Sequence, residues 1–550
     1  MESFLRKGLL PDNLPSFISS RGLVGPVIAG TDSYVVTQEV TGRPSSFNSS
    51  KRGFQRRTFT LPHPVFARDA ALFFVKHEGF LNSHFDKSVS SASRPDFSGT
   101  SHRAIRFTPH ADLPSLRLKR LATSRYCLVT DISRCFPSIY THSIPWALHG
   151  KDASKADRKT ASASVFGNRL DYIMRQSQDG QTMGIPVGPD HSRVIAEIVL
   201  TALDAEMALS GDFSGYLRHV DDFWIGCDSI EMCEDILQIL RKKLHAYALD
   251  INEQKTRIVL TSSVIAETWP YSLEAQLDAA MHLEVPARHS ARIISLLGSV
   301  VTEVSNSSDD GILKFFLRKF DTWQQWDRHW ATLESFLAHC ALNFLHAFDY
   351  IAQIVSWRKR TDKPIDLLIW QNIALKVLSS AAKAGRDAEA LWAIWLCKEL
   401  DQAIPAETCS SVADNNGPLV CSSLPHLFEN NLINGLFDLS DLWMRVEGQA
   451  ISGSAWPLAL ELSYSAVPPT AGHDLNGPAV FQTIFDAKCS LFTWQRPPSV
   501  FLDEDDELEN SPLFALGELG SDYDDDESES TVTSNSFPNL SIENDIDIAF

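Results

Sequence analysis

Two adjacent aspartates, Asp221 and Asp222, interrupt an apolar and aromatic stretch that reads YLRHVDDFWIG over residues 216–226. The apolar residues on both sides predict the turn of a β-hairpin whose arms are buried. Neighbouring carboxylates beside an apolar core repel each other and lose hydration, and divalent cations offset that cost because Mg²⁺ prefers carboxylate oxygens. Taken alone, however, a pair of aspartates in a turn is more often solvated than bound to a metal.

A third carboxylate, Asp131, lies at the end of a short apolar run, YCLVT. This run predicts a buried strand, and the aromatic residue Phe136 follows in the chain just before Pro137. A carboxylate at the end of a buried strand is well placed to bind a metal, although such a residue is more often the N-cap of a helix.

A rigid turn is predicted between these two stretches, where GIPVGPD at residues 184–190 places two glycines and two prolines close together. Glycine permits a close approach of the backbone, and proline fixes it. Asp190 is expected to cap the following helix, SRVIAEIVLTALDAEM, whose apolar residues recur every three or four positions. Beyond the hairpin, we expect an amphipathic helix over residues 229–249 and then a short strand with Lys255 near its turn.

A basic hairpin is predicted near the N-terminus, over residues 51–62, which read KRGFQRRTFTLP. Its cations include Lys51, Arg56 and Arg57, and such a group suits a triphosphate or a nucleic-acid backbone. An ordinary solvated basic turn explains the pattern equally well.

Two neighbouring stretches are expected to lack long regular elements. Residues 1–50 predict an extended arm with short helices, because prolines, serines and glycines interrupt them. The serine-rich residues 88–101 predict a mobile loop.

Most of the net charge of the chain lies near its C-terminal end. The formal net charge is −20, and residues 501–550 hold 16 Asp and Glu without any Lys or Arg. Subtracting those 16 charges leaves −4 on the remaining residues, which can therefore carry a basic nucleic-acid groove. The acidic stretch is predicted to be disordered, either as a solubilising tail or as a mimic of nucleic acid that covers such a groove.

Cysteine usage and hydropathy favour a cytosolic protein. The nine cysteines include no CxxC pair, which predicts reduced thiols. No run of 18 or more apolar residues occurs, so no membrane span is expected, and the N-terminal residues MESFLRKGLL lack the apolar core of a signal peptide. A chain of 550 residues is long enough for about two to four domains.

The order of these features resembles the palm of reverse transcriptases. In that family, a metal-binding aspartate is followed by an aromatic residue, a PQG-like turn precedes a helix, a YxDD-type hairpin supplies two carboxylates, and a later strand ends with a lysine. The corresponding residues here are Asp131 with Phe136, Pro186-Val187-Gly188, His219-Val220-Asp221-Asp222, and Lys255. The resemblance covers roughly the first half of the chain, to about residue 265.

Within that family, the chain looks like the bacterial defence reverse transcriptases of the abortive-infection and unknown-group type. The phrases LPDNLPSF, SIYTHSIPWALHGK and GIPVGPDHSRVIAEI carry this resemblance. It implies an α+β fold in which the fingers and palm of a right-hand polymerase, with an antiparallel palm sheet and helices, precede an all-α C-terminal domain. The expected domains are an N-terminal arm and fingers at 1–125, a palm at 126–270, an α-helical thumb or C-terminal domain at 271–500, and the acidic tail at 501–550. Helical periodicity between residues 286 and 400 fits either an enlarged thumb or a helical-repeat array.

The resemblance also implies nucleotidyl transfer with two Mg²⁺ ions, for which Mn²⁺ can substitute. Asp131 and Asp221 would bridge the ions, and Asp222 would complete the site. Lys255 would protonate the leaving pyrophosphate, although a surface lysine at a strand end is an equally good interpretation. The residues expected to contact the dNTP are Lys51, Arg56, Arg57, Phe136, Val187 and Gly188, with Phe136 under the sugar.

Two positions depart from the family pattern. His219 stands where the family usually has Tyr or Phe, and Val187 stands where it usually has Gln. Both positions touch the primer terminus or the nucleotide in the family, so we expect template or primer use to be unusual.

The expected function is therefore that of an RNA-directed DNA polymerase in a bacterial antiphage system. It would act in the cytoplasm on dNTPs and an RNA template, for which a dedicated non-coding RNA is one candidate, and would make a DNA product. A homo-oligomer is compatible with this function, and no membrane partner is expected. Two alternatives stay open: a template-independent or protein-primed DNA polymerase of abortive infection, and a non-enzymatic nucleic-acid-binding scaffold with a relic palm.

Overall fold

The computed structural model of the chain describes residues 1–494 with short gaps. The gaps are 12–13, 29–31, 52–54, 98–102, 110–111, 266–268, 283–285, 308, 323–324, 447–450, 470–474 and 476. The predicted acidic tail, the tip of the basic hairpin at 52–54 and the end of the serine-rich stretch therefore lie outside the described residues.

Eight strands and twenty-two α-helices make up the described part of the chain. The strands are β1 Ser45–Ser50, β2 Arg56–Leu61, β3 Tyr126–Asp131, β4 Gly215–His219, β5 Asp222–Cys227, β6 Arg257–Leu260, β7 Ile404–Pro405 and β8 Ile433–Asn434. The helices before residue 250 are α1 Glu2–Arg6, α2 Arg21–Ile28, α3 Pro64–Phe85, α4 Leu113–Leu121, α5 Cys135–Ser138, α6 Ser143–His149, α7 Lys151–Ala156, α8 Gly167–Gln176, α9 Asp190–Ser210 and α10 Ile230–Ala246. The later helices are α11 Trp269–Met281, α12 Pro286–Ser307, α13 Gly311–Thr322, α14 Trp326–Asn343, α15 Phe348–Arg360, α16 Leu367–Ala384, α17 Asp387–Glu399, α18 Ala406–Asn415, α19 Pro418–Cys421, α20 Leu424–Glu429, α21 Trp456–Tyr464 and α22 Ala479–Asp486.

The palm sheet has four strands in the order β4-β5-β3-β6, and each neighbouring pair is antiparallel. Side chains alternate between its two faces, as the strand geometry requires. Leu128, Phe223 and Ile225 join the large core that also contains α9 and α10, whereas Val129 and Trp224 pack on the opposite face beside α4. The predicted hairpin with buried arms is thus confirmed as β4 and β5.

The serine-rich stretch closes the outer edge of this sheet. Ala92 N donates to Arg218 O at 2.7 Å, and Arg218 N donates to Ser90 O at 2.9 Å, so the stretch adds a parallel bridge beside β4. This part of the stretch is therefore bonded to the sheet, which the expectation of a loop did not include. The serine-rich composition is typical of a loop, so it did not predict the bridge to β4. Serine hydroxyls can bond buried groups that a sequence pattern does not reveal.

The basic hairpin exists, but its first strand was not predicted. Strand β1 lies within residues assigned to an extended arm, because SSFNSS contains only one large apolar residue. That residue, Phe47, pairs directly with Phe59 across the hairpin, and both side chains are buried. One aromatic pair on the core face therefore fixes the register.

Asp190 does not cap helix α9, contrary to the prediction. It is the first residue of that helix and is fully buried. Its carboxylate accepts from Arg103 Nη2 at 2.7 Å and from Ala104 N at 2.9 Å. A buried carboxylate needs such partners, and a segment far earlier in the chain supplies them here.

The C-terminal half is mainly helical, but the prediction of an all-α domain is wrong in detail. Strands β7 and β8 form a short parallel pair, and residues Leu439–Arg445 form a 3₁₀-helix. The end of this half also returns to the N-terminal arm, where Thr493 N donates to Phe17 O at 2.8 Å and Ser19 N donates to Leu491 O at 2.8 Å. The domain boundaries themselves stay a prediction.

All nine cysteines fall in the described part of the chain, where they are free and buried. None of the described helices combines the length and apolar character needed to cross a membrane.

Candidate active site

Two of the predicted metal ligands, Asp131 and Asp222, stand opposite each other in the palm sheet. Asp131 ends β3, Asp222 begins β5, and the antiparallel register pairs them directly. Directly opposed residues have Cα atoms roughly 5 Å apart. The pairing that buries Leu128 and Ile225 further down the strands thus brings two carboxylates together at one end of the sheet.

The third predicted ligand, Asp221, lies in the tight turn that joins β4 and β5. Its carbonyl oxygen accepts from Ile132 N at 3.1 Å, which ties the turn to the end of β3. The preceding residue, Val220, has a positive φ of 49°. A β-branched residue in this left-handed conformation costs about 1–3 kcal/mol, so the surrounding structure must hold the turn.

The carboxylate of Asp131 is only partly engaged. It is 5% exposed, and its Oδ2 accepts from Lys255 Nζ at 2.6 Å. Its Oδ1 is buried and has no hydrogen-bond partner among the described residues. Buried carboxylate oxygens are normally satisfied, so this oxygen suits a cation that binds between the strands.

Lys255 reaches Asp131 because the loop before β6 wraps around the end of β3. Asn252 N donates to Asp131 O at 2.8 Å, and the hydroxyls of Thr130 and Thr256 are 2.7 Å apart. The predicted general acid and the predicted metal ligand are therefore in contact.

The described residues contain no group of three or more His, Cys, Asp or Glu side chains already arranged around a metal position. The carboxylates of the turn and of β3 nevertheless supply the oxygen donors that Mg²⁺ prefers, and Asp131 Oδ1 accepts no hydrogen bond from the part of the chain that the structure describes. The donor set fits a divalent cation.

Phe136 lies in α5, the short helix that follows β3, and it is 6% exposed. Its carbonyl accepts from Ile185 N at 3.0 Å, and Gly184 N donates to Ile139 O at 2.9 Å. Gly184 has a φ of 87°, and a Cβ there would lie 3.1 Å from Pro137 O. The structure thus packs the predicted sugar-contacting residue against the start of the glycine and proline turn.

The other side of that turn contacts the basic hairpin. Thr60 N donates to Val187 O at 2.9 Å, so the turn runs along the outer edge of β2. Gly188 has a φ of 115°, and a Cβ there would lie 3.0 Å from Phe59 Cδ1. Glycine is required at this position because both its conformation and its space exclude a side chain.

The hairpin separates the predicted phosphate ligands between its two faces. Arg57 shares a face with Phe59, the residue that contacts Gly188. Arg56 lies on the opposite face, where Nη2 contacts Glu389 Oε2 of α17 at 2.8 Å and Nη1 contacts Oε1 at 2.9 Å. Lys51 closes the turn by donating its backbone N–H to Gln55 O at 2.9 Å. Arg56 therefore joins the hairpin to the C-terminal half, and its role as a phosphate ligand stays a prediction.

Sequence reasoning missed a buried charge cluster beneath the two aspartates. Arg218 of β4 is fully buried and bonds both Glu197 and Asp204 of α9. A signal was present: an arginine interrupts a buried strand, and the two acids lie seven residues apart on the apolar helix that follows the glycine and proline turn. Residues at that spacing share a helix face.

Cys135 also lies close to the site, between the carboxylates and the charge cluster. Burial raises the pKa of its thiol well above the ordinary value, and the nearby Asp221 adds to this effect. Burial thus disfavours the thiolate form of Cys135, which is the form that acts as a nucleophile.

Residues 82–300 match the profile of a protein family described as "Reverse transcriptase (RNA-dependent DNA polymerase)". The match contains the palm sheet, all three aspartates and Lys255. The search of curated proteins found no match.

Solved telomerase structures from two Candida species are among the similar folds. Apo telomerase from Candida tropicalis has a TM-score of 0.29 and 12% identity, and the alignment covers 66% of this chain and 71% of that chain. Telomerase from Candida albicans with a fragment of telomeric RNA has a TM-score of 0.28 and 12% identity, covering 65% of this chain and 66% of that one. At such TM-scores, these likenesses carry no functional argument. The profile match does: the chain contains a reverse transcriptase domain and is an RNA-directed DNA polymerase.

Proposed function

We propose that this polymerase makes DNA on an RNA template by two-metal nucleotidyl transfer at Asp131, Asp221 and Asp222. We further propose that it acts in the bacterial cytoplasm as part of an antiphage defence system. The sequence phrases shared with defence reverse transcriptases support that role, and the contacts around the aspartates support the chemistry.

One observation carries the catalytic proposal. Asp131 and Asp222 are register partners at the end of two adjacent strands, and Asp131 Oδ1 is buried without a hydrogen-bond partner in the described part of the chain. An oxygen of this kind favours a bound cation, because an unsatisfied buried acceptor costs free energy. Bound Mg²⁺ or Mn²⁺ would lower the pKa of an attacking 3′-hydroxyl and neutralise the leaving pyrophosphate.

The side chains around this position have complementary roles. Asp131 would hold the cations from the end of β3, Asp221 would hold them from the hairpin turn, and Asp222 would complete the site. Lys255, whose side chain is 58% exposed, bonds Asp131 in the resting state and would deliver a proton to the pyrophosphate. A long exposed lysine can move between these two partners without disturbing the fold.

The nucleotide would lie between α5, the glycine and proline turn and the basic hairpin. Phe136 would pack under the sugar, and the backbone of Val187 and Gly188 would border the base or sugar. Arg57 and Lys51 would bind the β- and γ-phosphates, since both belong to the hairpin that contacts this turn.

The partners that follow from this proposal are dNTPs, an RNA template and the DNA product. A dedicated non-coding RNA is the template that a defence role would favour, and assembly into a homo-oligomer is compatible with it. A non-enzymatic scaffold with a relic palm does not fit, because the chain is a polymerase.

A template-independent or protein-primed reaction is the second candidate. His219 favours it, because this buried residue lies directly opposite Asp222 and departs from the usual aromatic residue. A changed side chain beside the reacting end of the primer would alter how that primer is held.

Incorporation of labelled dNTPs by the purified full chain tests the proposal. The assay contains Mg²⁺ or Mn²⁺, with and without added RNA, and compares protein treated with RNase beforehand. RNA-dependent product supports reverse transcription. Product that survives removal of RNA, or that becomes protease-sensitive, supports the second candidate. No product under any condition would contradict both.

A further inference from the structure

Arg218 is an arginine at a fully buried position of a strand, where charged residues are rare. Its side chain is completely buried on the face of the palm sheet that meets α9. Its Nε and Nη2 donate to Asp204 at 3.0 and 2.7 Å, and its Nη1 and Nη2 donate to Glu197 at 2.9 and 2.8 Å. A buried guanidinium is stable only when it is paired in this way.

The serine-rich stretch completes the cluster from the other side. Ser91 Oγ donates to Glu197 Oε1 at 2.6 Å, and Ser88 Oγ donates to Asp204 Oδ2 at 2.6 Å. Burial alone would lower the pKa of Arg218, but Asp204 and Glu197 outweigh burial and raise it well above the ordinary value. The guanidinium is therefore bonded by both acids, which the serine hydroxyls bond in turn, and a fully satisfied buried network of this kind is a rigid support.

This support reaches the catalytic turn through Val220. Arg218 Nη1 donates to Val220 O at 2.9 Å, and Val220 N donates to Ser93 Oγ at 2.6 Å. Both polar groups of the Val220 backbone are thus held, and its φ of 49° is the strained conformation of the turn. The next two residues in the chain are Asp221 and Asp222.

We propose that Arg218 and Ser93 are positioning residues, which hold Val220 in its left-handed conformation so that Asp221 and Asp222 stay oriented for cation binding. This inference rests on the proposed function, because it assigns a purpose to the strain at the metal-binding turn. Neither residue contacts the reacting atoms; both act through the backbone of Val220.

Ser93→Ala is the decisive variant, because it removes one hydrogen bond without leaving a buried charge unpaired. We expect kcat to fall about tenfold, and the Mg²⁺ concentration for half-maximal activity to rise several-fold. The KM for dNTP and the melting temperature should change little. Ser83→Ala is the control, since Ser83 Oγ also bonds a backbone group, as the donor to Gly79 O, but on the exposed side of α3.

A double-mutant cycle separates positioning from general destabilisation. Val220→Gly removes the penalty for a positive φ, so the turn depends less on its two hydrogen bonds. In the Val220→Gly background, Ser93→Ala should cost about twofold in kcat rather than tenfold. Equal costs in both backgrounds would overturn the role assigned to Val220.

Arg218→Lys extends the test to the cluster itself. Lysine keeps the charge but lacks the planar set of donors that reaches both acids and Val220 O together. We expect the same weakened response to Mg²⁺ in any folded protein that this variant yields. If the variant does not fold, the Ser93→Ala cycle still decides the question.

Binding of Mn²⁺ to the free enzyme, measured by electron paramagnetic resonance, provides a readout that does not depend on activity. Ser93→Ala should weaken it several-fold, and Ser83→Ala should leave it unchanged. Unchanged binding and an unchanged Mg²⁺ response in Ser93→Ala would overturn the positioning role. If the wild-type enzyme incorporated no dNTP, the proposed function would be overturned instead. The Mn²⁺ measurement would still test whether Ser93 helps to orient the cation-binding turn.

Discussion

Lys255 donates a hydrogen bond from Nζ to Asp131 Oδ2 at 2.6 Å, so the proposed general acid contacts a proposed metal ligand. Asp131 would bind the cation, and Lys255 would donate the proton that the leaving group needs. The contact also keeps one oxygen of Asp131 occupied while the other is left for a cation. The proposed general acid and the proposed cation ligand are therefore already side by side before metal and nucleotide bind.

Lys255→Met should lower kcat by roughly ten- to a hundredfold, because it removes the proposed general acid. Its effect on the free energy of unfolding should be below about 1 kcal/mol, since an ion pair with a largely exposed lysine stabilises little. Single-turnover incorporation and chemical denaturation measure the two quantities. Lys242→Met on the exposed side of α10 is the control. An equal loss of activity in both variants would contradict the assignment.

Substitutions of the two neighbouring arginines of the hairpin should affect different quantities, namely nucleotide binding for Arg57 and stability for Arg56. Arg57→Ala should raise the KM for dNTP about tenfold or more, because a phosphate ligand is lost. Arg56→Ala should instead lower the free energy of unfolding by about 1–3 kcal/mol, because it leaves the buried carboxylate of Glu389 unpaired. A steady-state dNTP titration and a denaturation curve for each variant provide the comparison. If Arg56→Ala raised the KM and left stability unchanged, the division of the two faces would be wrong.

Gly188→Ala should damage both stability and activity. Its φ of 115° and the 3.0 Å approach to Phe59 Cδ1 leave no room for a methyl group, so we expect a loss of about 1–3 kcal/mol. Gly79→Ala in α3 meets no atom within 4 Å and should be neutral or stabilising by up to about 1 kcal/mol. Thermal unfolding distinguishes the two variants. A tolerated Gly188→Ala would show that the turn is not closely packed against the hairpin.

The stability of the fold should depend on pH through His191. Burial lowers its pKa to about 3 in the folded chain, whereas an unfolded histidine titrates near its ordinary value of 6.5. The unfolded state therefore binds a proton first, so the stability from this residue is complete above about pH 6.5 and is lost as the pH falls towards 3. His191→Leu should flatten the fall in unfolding free energy between pH 6.5 and 4. An unchanged pH profile in this variant would show that His191 does not cause the loss of stability at low pH.

The sequence was sufficient to predict the parts of the site that follow from local pattern. Asp131 ends an apolar run, Asp221 and Asp222 divide a hairpin, and each of these features depends on residues close in the chain. The helix after the hairpin was also predicted closely, with Ser229 accepting from Met232 N as its cap. Such elements need only alternation, helical spacing and capping residues.

The features that escaped prediction depend on contacts between distant segments. Strand β1 carries a single large apolar residue, Phe47, and becomes a strand only because Phe59 lies opposite it. The support beneath Val220 joins Ser93 of the serine-rich stretch to Arg218 of the sheet, and no local pattern records that contact. The ion pair between Arg56 and Glu389 spans the two halves of the chain and is equally invisible to periodicity.

The most direct test of the central claim is incorporation of labelled dNTPs in Mg²⁺ by the Asp221→Ala/Asp222→Ala double variant. If these residues form the metal-binding half of the site, the variant should remain folded and make no product. Asp228→Ala, an exposed aspartate just beyond the end of β5, should retain wild-type activity. Product made by the double variant at the wild-type rate would show that the active site lies elsewhere.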